Sequence, residues 1–130
     1  MTTILLDTHI FLWMQRSPSR LKSARDLIED EQTTVLLSAV SSWEIAIKWR
    51  LGKLPLPEPP DRYVPDRMQR SAIQALPVLH SHALAVAELP SHHADPFDRL
   101  LIAQALLEGI PLATADPAFR AYDTELLWLG

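Results

Sequence analysis

"TILLDTHIFLWMQR", residues 3–16, changes character in the middle. Thr3–Leu6 is a short, continuous apolar run, and the stretch from Thr8 onward has a helical pattern, with Asp7 at the junction. A strand covered on both faces has no solvent side, so it is apolar at every position rather than at alternate ones. The segment therefore reads as a buried strand that ends at Asp7 and passes straight into a helix. TVLLS (Thr34–Ser38), AIQALPV (72–78), PLATA (111–115) and the weaker ELLWL (125–129) repeat the strand signature. Helical segments separate them. RLKSARDLIEDEQ places Leu21, Ala24, Leu27 and Ile28 at helical spacing, and VSSWEIAIKWRLG stops at Gly52. DRYVPDRMQRSA is started or kinked by Pro65, and HSHALAVAEL and PFDRLLIAQALLEG complete the set. Alternating strands and helices predict a three-layer α/β/α domain with a central, mostly parallel sheet of four to five strands.

The proline-rich KLPLPEPP is too short for a domain linker, so residues 1–130 are expected to form one domain. A chain of this length can bury roughly two thirds of its unfolded surface, enough for a core of its own. It has no cysteine, which excludes disulfides, thiolate zinc sites and cysteine nucleophiles. No apolar run approaches the ~20 residues of a membrane span. MTTILLDTH has neither a basic start nor a small-residue cleavage site, so a cytoplasmic protein without an export signal is expected. The formal net charge of −4, from 16 acidic and 12 basic residues, has the wrong sign for gripping nucleic acid by bulk electrostatics.

Four of the acids stand out by position. In parallel sheets, functional groups collect at the carboxyl ends of strands. Asp7 directly follows ILL and Asp116 directly follows PLATA. Glu44 lies one turn into the helix after the second strand, and Asp98 lies in the first turn of the helix before the fourth. Capping alone would account for each taken singly. Asp7 and Asp116 suit the start of a turn, Ser41 to Glu44 fits a capping box, and Asp95-Pro-Phe-Asp98 fits a variant with proline first. Taken together, four caps would have no reason to converge on one sheet edge. Without them 12 acids face 12 basic groups, so the quartet equals the whole negative excess. Clustered carboxylates repel and require a cation. Oxygen donors without nitrogen or sulfur suit Mg²⁺ or Mn²⁺, and such a centre can hydrolyse a phosphodiester.

"LLDTH" (5–9), "SSWEIAIKWRLGKL" (41–54), "HADPFDRLLIAQA" (93–105) and "PLATAD" (111–116), in this order, resemble the PIN-domain ribonucleases, and among them VapC-like toxins of bacterial toxin–antitoxin pairs. The resemblance runs over nearly the whole chain. It implies a PIN-like fold and a Mg²⁺- or Mn²⁺-dependent endoribonuclease whose catalytic and metal-binding acids fall on Asp7, Glu44, Asp98 and Asp116. It also implies a supporting role for Thr114 and, beside the first acid, for Thr8. The partners it implies are an RNA substrate, a cognate antitoxin and a second copy of the chain. Asp95 is expected to cap the helix that presents Asp98.

Lys48, Arg50 and Arg99 are the candidates for guiding RNA, with Lys48 alternatively pairing with Glu44 at i,i+4. Val40, Trp43 and Ile47 share one helical face, which assigns Trp43 to the core. Ile45 and Trp49 share another and offer a partner surface, as Phe11 and Trp13 do on the first helix. His9, His80 and His82 read as surface or packing residues, His92 as exposed and His93 as a loop anchor. Three other readings compete. One is a PIN-type nuclease for RNA processing or structured substrates, and another is a non-catalytic PIN-like binding module. The third is a phosphotransferase with Asp7 as nucleophile, against which His9 stands where such enzymes resembling haloacid dehalogenases carry a second aspartate.

Overall fold

The computed structural model describes residues 1–92 and 94–130; the loop role expected of His93 lies outside them. The strands are β1 (Thr2–Leu6), β2 (Thr33–Ser38), β3 (Ile73–Leu76), β4 (Leu112–Thr114) and β5 (Leu126–Trp128). The described residues form six α-helices: α1 (Thr8–Arg16), α2 (Arg25–Glu29), α3 (Ala39–Arg50), α4 (Pro60–Arg70), α5 (His80–Ala85) and α6 (Pro96–Glu108). All strand pairs are parallel and the sheet order is β3-β2-β1-β4-β5. Five strands, all parallel, fill the upper end of the expected range.

Register explains why the strands lack polar alternation. Ile4 lies against Val35, while Leu5 lies between Leu36 and Leu112. Ile4, Leu6, Val35, Leu37 and Ala113 face one core, with Phe11 of α1, Ile28 of α2 and Tyr63 and Val64 of α4. Leu5 and Leu112 face a second core, with Leu101, Ile102 and Ala105 of α6 and with Phe119. Successive side chains thus enter two different apolar cores. None of the described helices is long and apolar enough to cross a membrane.

Three local expectations change. The helix expected over residues 20–32 divides into a 3-10 segment, Pro18–Ala24, and the short α2, because Lys22 takes φ 54° and ψ −133°. Leu21, Ala24 and Ile28 are buried as their spacing suggests, but the break turns Leu27 out to solvent. Helix α3 starts earlier than a cap at Ser41 would allow: Ser38 Oγ accepts from the Val40 N–H at 3.0 Å, and Ser41 and Glu44 lie inside the helix. Helix α4 likewise begins at Pro60, with Pro65 in its interior.

Helix α6 ends at Gly109 in the left-handed region, φ 66° and ψ 38°. A methyl group there would touch nothing within 4 Å, so the requirement is conformational rather than steric. Gly109→Ala is expected to destabilise the protein by about 1 kcal/mol in urea unfolding, without altering the site described next.

Candidate active site

With β1 between β2 and β4, the connections diverge and leave a crevice beyond the carboxyl ends of β1 and β4. Asp7 enters it directly from β1. Its Oδ1 accepts the His9 N–H at 2.6 Å, capping α1, and its Oδ2 accepts the Thr114 hydroxyl at 2.6 Å. The same Thr114 oxygen accepts the Asp116 N–H at 3.1 Å, so one hydroxyl joins the ends of the two strands. Asp116 Oδ1 in turn accepts the Ala118 N–H at 2.9 Å and caps the 3-10 turn Pro117–Ala121. For these two acids capping and convergence are one geometry. The caps aim the carboxylates.

Asp7 is only 3% exposed. Burial pushes its carboxyl above the ordinary aspartate range, outweighing the Thr114 hydroxyl, the His9 side chain and the His9 and Ile10 backbone donors. A carboxylate that remains costly after such bonding would gain from a cation beside it.

Glu44, 2% exposed, comes from α3. The Thr8 hydroxyl donates to its Oε1 at 2.8 Å and lies 2.9 Å from Ser41 Oγ. Thr8 carries one hydroxyl proton, so Ser41 donates to Thr8 in turn. Lys48 Nζ sits 2.5 Å from Glu44 Oε2. Partial burial disfavours the Lys48 ammonium, but the bond to Glu44 and the fields of Glu44, Asp95 and Asp98 hold its pKa above the ordinary lysine value. Lys48 is therefore a fixed positive charge between α3 and the start of α6. There Asp95 Oδ1 accepts the N–H groups of Phe97 and Asp98, at 2.8 and 3.2 Å, with Pro96 first in the helix. The expected cap is in place, and Asp98 sits half-buried in the first turn.

Two adjoining cavities open on this edge. One, of about 390 Å³, is lined by Asp7, Asp116, His9, Trp13 and Arg20. The other, of about 560 Å³, is lined by Glu44 and Lys48, by His9 and Trp13, and by Arg16, Arg20 and Lys53. They share His9, Trp13 and Arg20. The oxygen donors suit a hard divalent cation. Among the described residues, no three His, Asp or Glu side chains stand close enough to hold an ion as they are.

The basic residues are redistributed relative to expectation. Lys48 lines the site, but Arg50 is exposed and lines neither cavity. Arg99 donates to the carbonyls of Pro90, Val86 and Leu89, at 2.9, 3.1 and 3.4 Å, and so braces the segment before α6 rather than facing the acids. Arg16, Arg20 and Lys53 take its place. Their signal in the sequence was helical spacing from the first acid: His9, Trp13 and Arg16 repeat at four and three residues and share a face.

The aromatic assignment also inverts. Trp43 is 57% exposed and meets Phe97 edge to face, whereas Ile45 is fully buried. Helix α3 turns Ser41 and Glu44 inward, and that polar stripe displaces Trp43 from the interior. Trp49 is exposed as expected, Phe11 is core and Trp13 is half-buried. His80 and His92 are exposed. His82 is a packing residue, accepting the Leu79 N–H at 3.0 Å and lying 3.1 Å from Glu108 Oε2.

Residues 4–125 match the PIN domain family. The chain belongs to that family. Ribonuclease VapC22 of Mycobacterium tuberculosis (strain ATCC 25618 / H37Rv) is 28% identical over 123 residues, covering 94% of this PIN domain chain and 93% of that protein. Ribonuclease VapC16 of the same organism is 52% identical over 62 residues, 48% of this chain. The chain spans less than half, 44%, of that relative's length. Among solved structures, VapBC2 from Rickettsia felis, bound to a promoter DNA fragment, superposes with a TM-score of 0.73 at 14% identity. That match covers 96% of this chain and 97% of the other, and shows that the PIN fold is shared.

Proposed function

We propose that residues 1–130 act as a single PIN nuclease unit, a divalent-cation-dependent endoribonuclease that serves as the toxin of a toxin–antitoxin pair. The observation that carries this reading is the Thr114 hydroxyl, which bonds the buried Asp7 carboxylate and the backbone of Asp116 across the switch point of the sheet. Glu44 lines the adjoining cavity from α3, and Asp98, which lines neither cavity, acts with Glu44 on the Lys48 ammonium from the start of α6. Two ribonucleases among the relatives, and among the similar structures VapBC-5 from Mycobacterium tuberculosis, a member of the VapBC family of toxin–antitoxin systems, support the assignment. The expected partners are an RNA substrate, a cognate antitoxin and a second copy of the chain, and the expected compartment is the cytoplasm.

The donor set fits Mg²⁺ or Mn²⁺: Asp7 is a buried carboxylate whose ionisation burial opposes, Asp116 adds a second carboxylate on the same cavity, and the His9 imidazole nitrogen lies 3.8 Å from Asp7 Oδ1. Asp7, Asp98 and Asp116 would hold the ion, with Glu44 completing the acidic centre. When bound, the ion supplies Lewis acidity that activates water and offsets charge on the scissile phosphate. Thr114 fixes the orientation of Asp7, and Thr8 with Ser41 fixes Glu44. Lys48 is placed to attract a phosphate oxygen while restraining Glu44. No histidine is required as base.

Labelled RNA is expected to be cut in Mg²⁺ or Mn²⁺, to survive in excess EDTA, and to be cut again when the ion is restored. Undiminished cleavage in EDTA would refute the cation-dependent mechanism.

A further inference from the structure

The chain is acidic overall, yet one wall of its site is not. Arg16, Arg20, Lys48 and Lys53 line the larger cavity with Glu44 as the one acid. Among the described residues Arg20 and Lys53 make no ion pair with an acid. Arg16 donates to the Pro55 carbonyl, which holds it on this wall. At the junction of the cavities the Arg20 guanidinium carbon lies 3.8 Å from the centre of the Trp13 ring. Trp13 packs on the core behind it, while Arg20 is exposed and lines both cavities. A guanidinium held over an indole is a planar, charged platform. A single-stranded nucleic acid presents planar bases and phosphates together, stacking on aromatic and arginine planes is how its bases are commonly held, and on the ribonuclease reading that strand is RNA. An acidic peptide would match the charges but would leave the indole without a role.

We propose that Trp13 and Arg20 form one nucleotide-positioning element. A base next to the scissile phosphate stacks against the Arg20–indole pair, and the adjoining backbone runs along Arg16 and Lys53. This rests on the ribonuclease reading and adds to it which side of the site the strand occupies.

The test is binding of a short, fluorescein-labelled single-stranded RNA of mixed sequence in excess EDTA, where cleavage does not intervene. Trp13→Ala is expected to weaken binding roughly five- to 150-fold, the range for loss of one base stack. Trp13→Phe keeps a ring and is expected to restore most of it, which guards against a folding defect in the alanine variant. Trp49→Ala, removing an exposed tryptophan elsewhere, should bind as the wild type does. Strands made abasic at one position at a time should show a single sensitive position in the wild type and none in Trp13→Ala. Combining Trp13→Ala with Arg20→Ala should cost no more than the worse single change. With Mg²⁺ present, Trp13→Ala should raise KM far more than it lowers kcat.

If the wild type binds RNA but Trp13→Ala binds equally well, or no abasic position matters, this inference falls while the nuclease reading stands. If the wild type binds no RNA in EDTA, this inference falls, and the cleavage assay in Mg²⁺ decides the nuclease reading separately. If polyglutamate binds as tightly as RNA and neither responds to Trp13→Ala, the trough is a groove for acidic peptide and the proposal is overturned.

Discussion

An Asp7→Asn variant is expected to lose RNA cleavage by roughly a hundredfold or more while keeping its fold. Asparagine can still cap α1 through its carbonyl oxygen, and its amide NH2, standing where Oδ2 was, can donate to the Thr114 oxygen, so the scaffold survives, but the charge that would hold a cation is gone. Stability should move the other way. Burial raises the folded pKa of Asp7 above its unfolded value, so the folded state binds the extra proton in the interval between them. In EDTA, the stability that the Asp7 carboxyl itself contributes is therefore fully present only below the ordinary aspartate range. It declines as the pH rises through the folded value, as the buried carboxyl ionises. Asp7→Asn has no proton to lose there and should show a flatter profile, matching or exceeding the wild type at neutral pH. Urea unfolding across the acidic range reads the stability and a cleavage assay reads the activity. A variant that is both inactive and clearly less stable at neutral pH would place Asp7 in the scaffold rather than in the chemistry.

The second large effect separates two acids in the first turn of α6. Asp98→Asn should abolish cleavage as Asp7→Asn does. Asp95→Asn should retain most activity, because asparagine caps nearly as well as aspartate and the N–H groups of Phe97 and Asp98 keep their acceptor. Asp95→Ala should cost about 1 kcal/mol of stability. Equal loss of activity in Asp95→Asn and Asp98→Asn would overturn this division of labour.

Much of this arrangement is legible in residue order. Strands buried on both faces leave uninterrupted apolar runs, and acids placed where those runs stop mark the carboxyl edge of the sheet. That is why Asp7 and Asp116 are visible from residue order, whereas Thr114, two residues before Asp116, is named only by the family resemblance. Helix α3 was misread because amphipathic spacing assumes that polar means outward. Ser41 and Glu44 point inward, so Trp43 and Ile45 exchanged places. The rule failed where the helix serves the site. Proximity in sequence to Asp98 likewise says nothing of the bonds that the Arg99 guanidinium makes to the carbonyls of Val86, Leu89 and Pro90. Arg16 and Arg20 are not legible from residue order because their place on the cavity walls depends on the helical repeat of α1 and on the turn after it.

The ion pair between Lys48 and Glu44 has a consequence for the order of events in the cell. One of the four carboxylates carries its counter-charge on its own helix, one turn away. The acidic centre is thus partly neutralised by the chain itself. On the proposed cation-dependent toxin reading, folding and arming would then be separate steps, and a newly made molecule would be shaped for capture by its antitoxin before it held an ion.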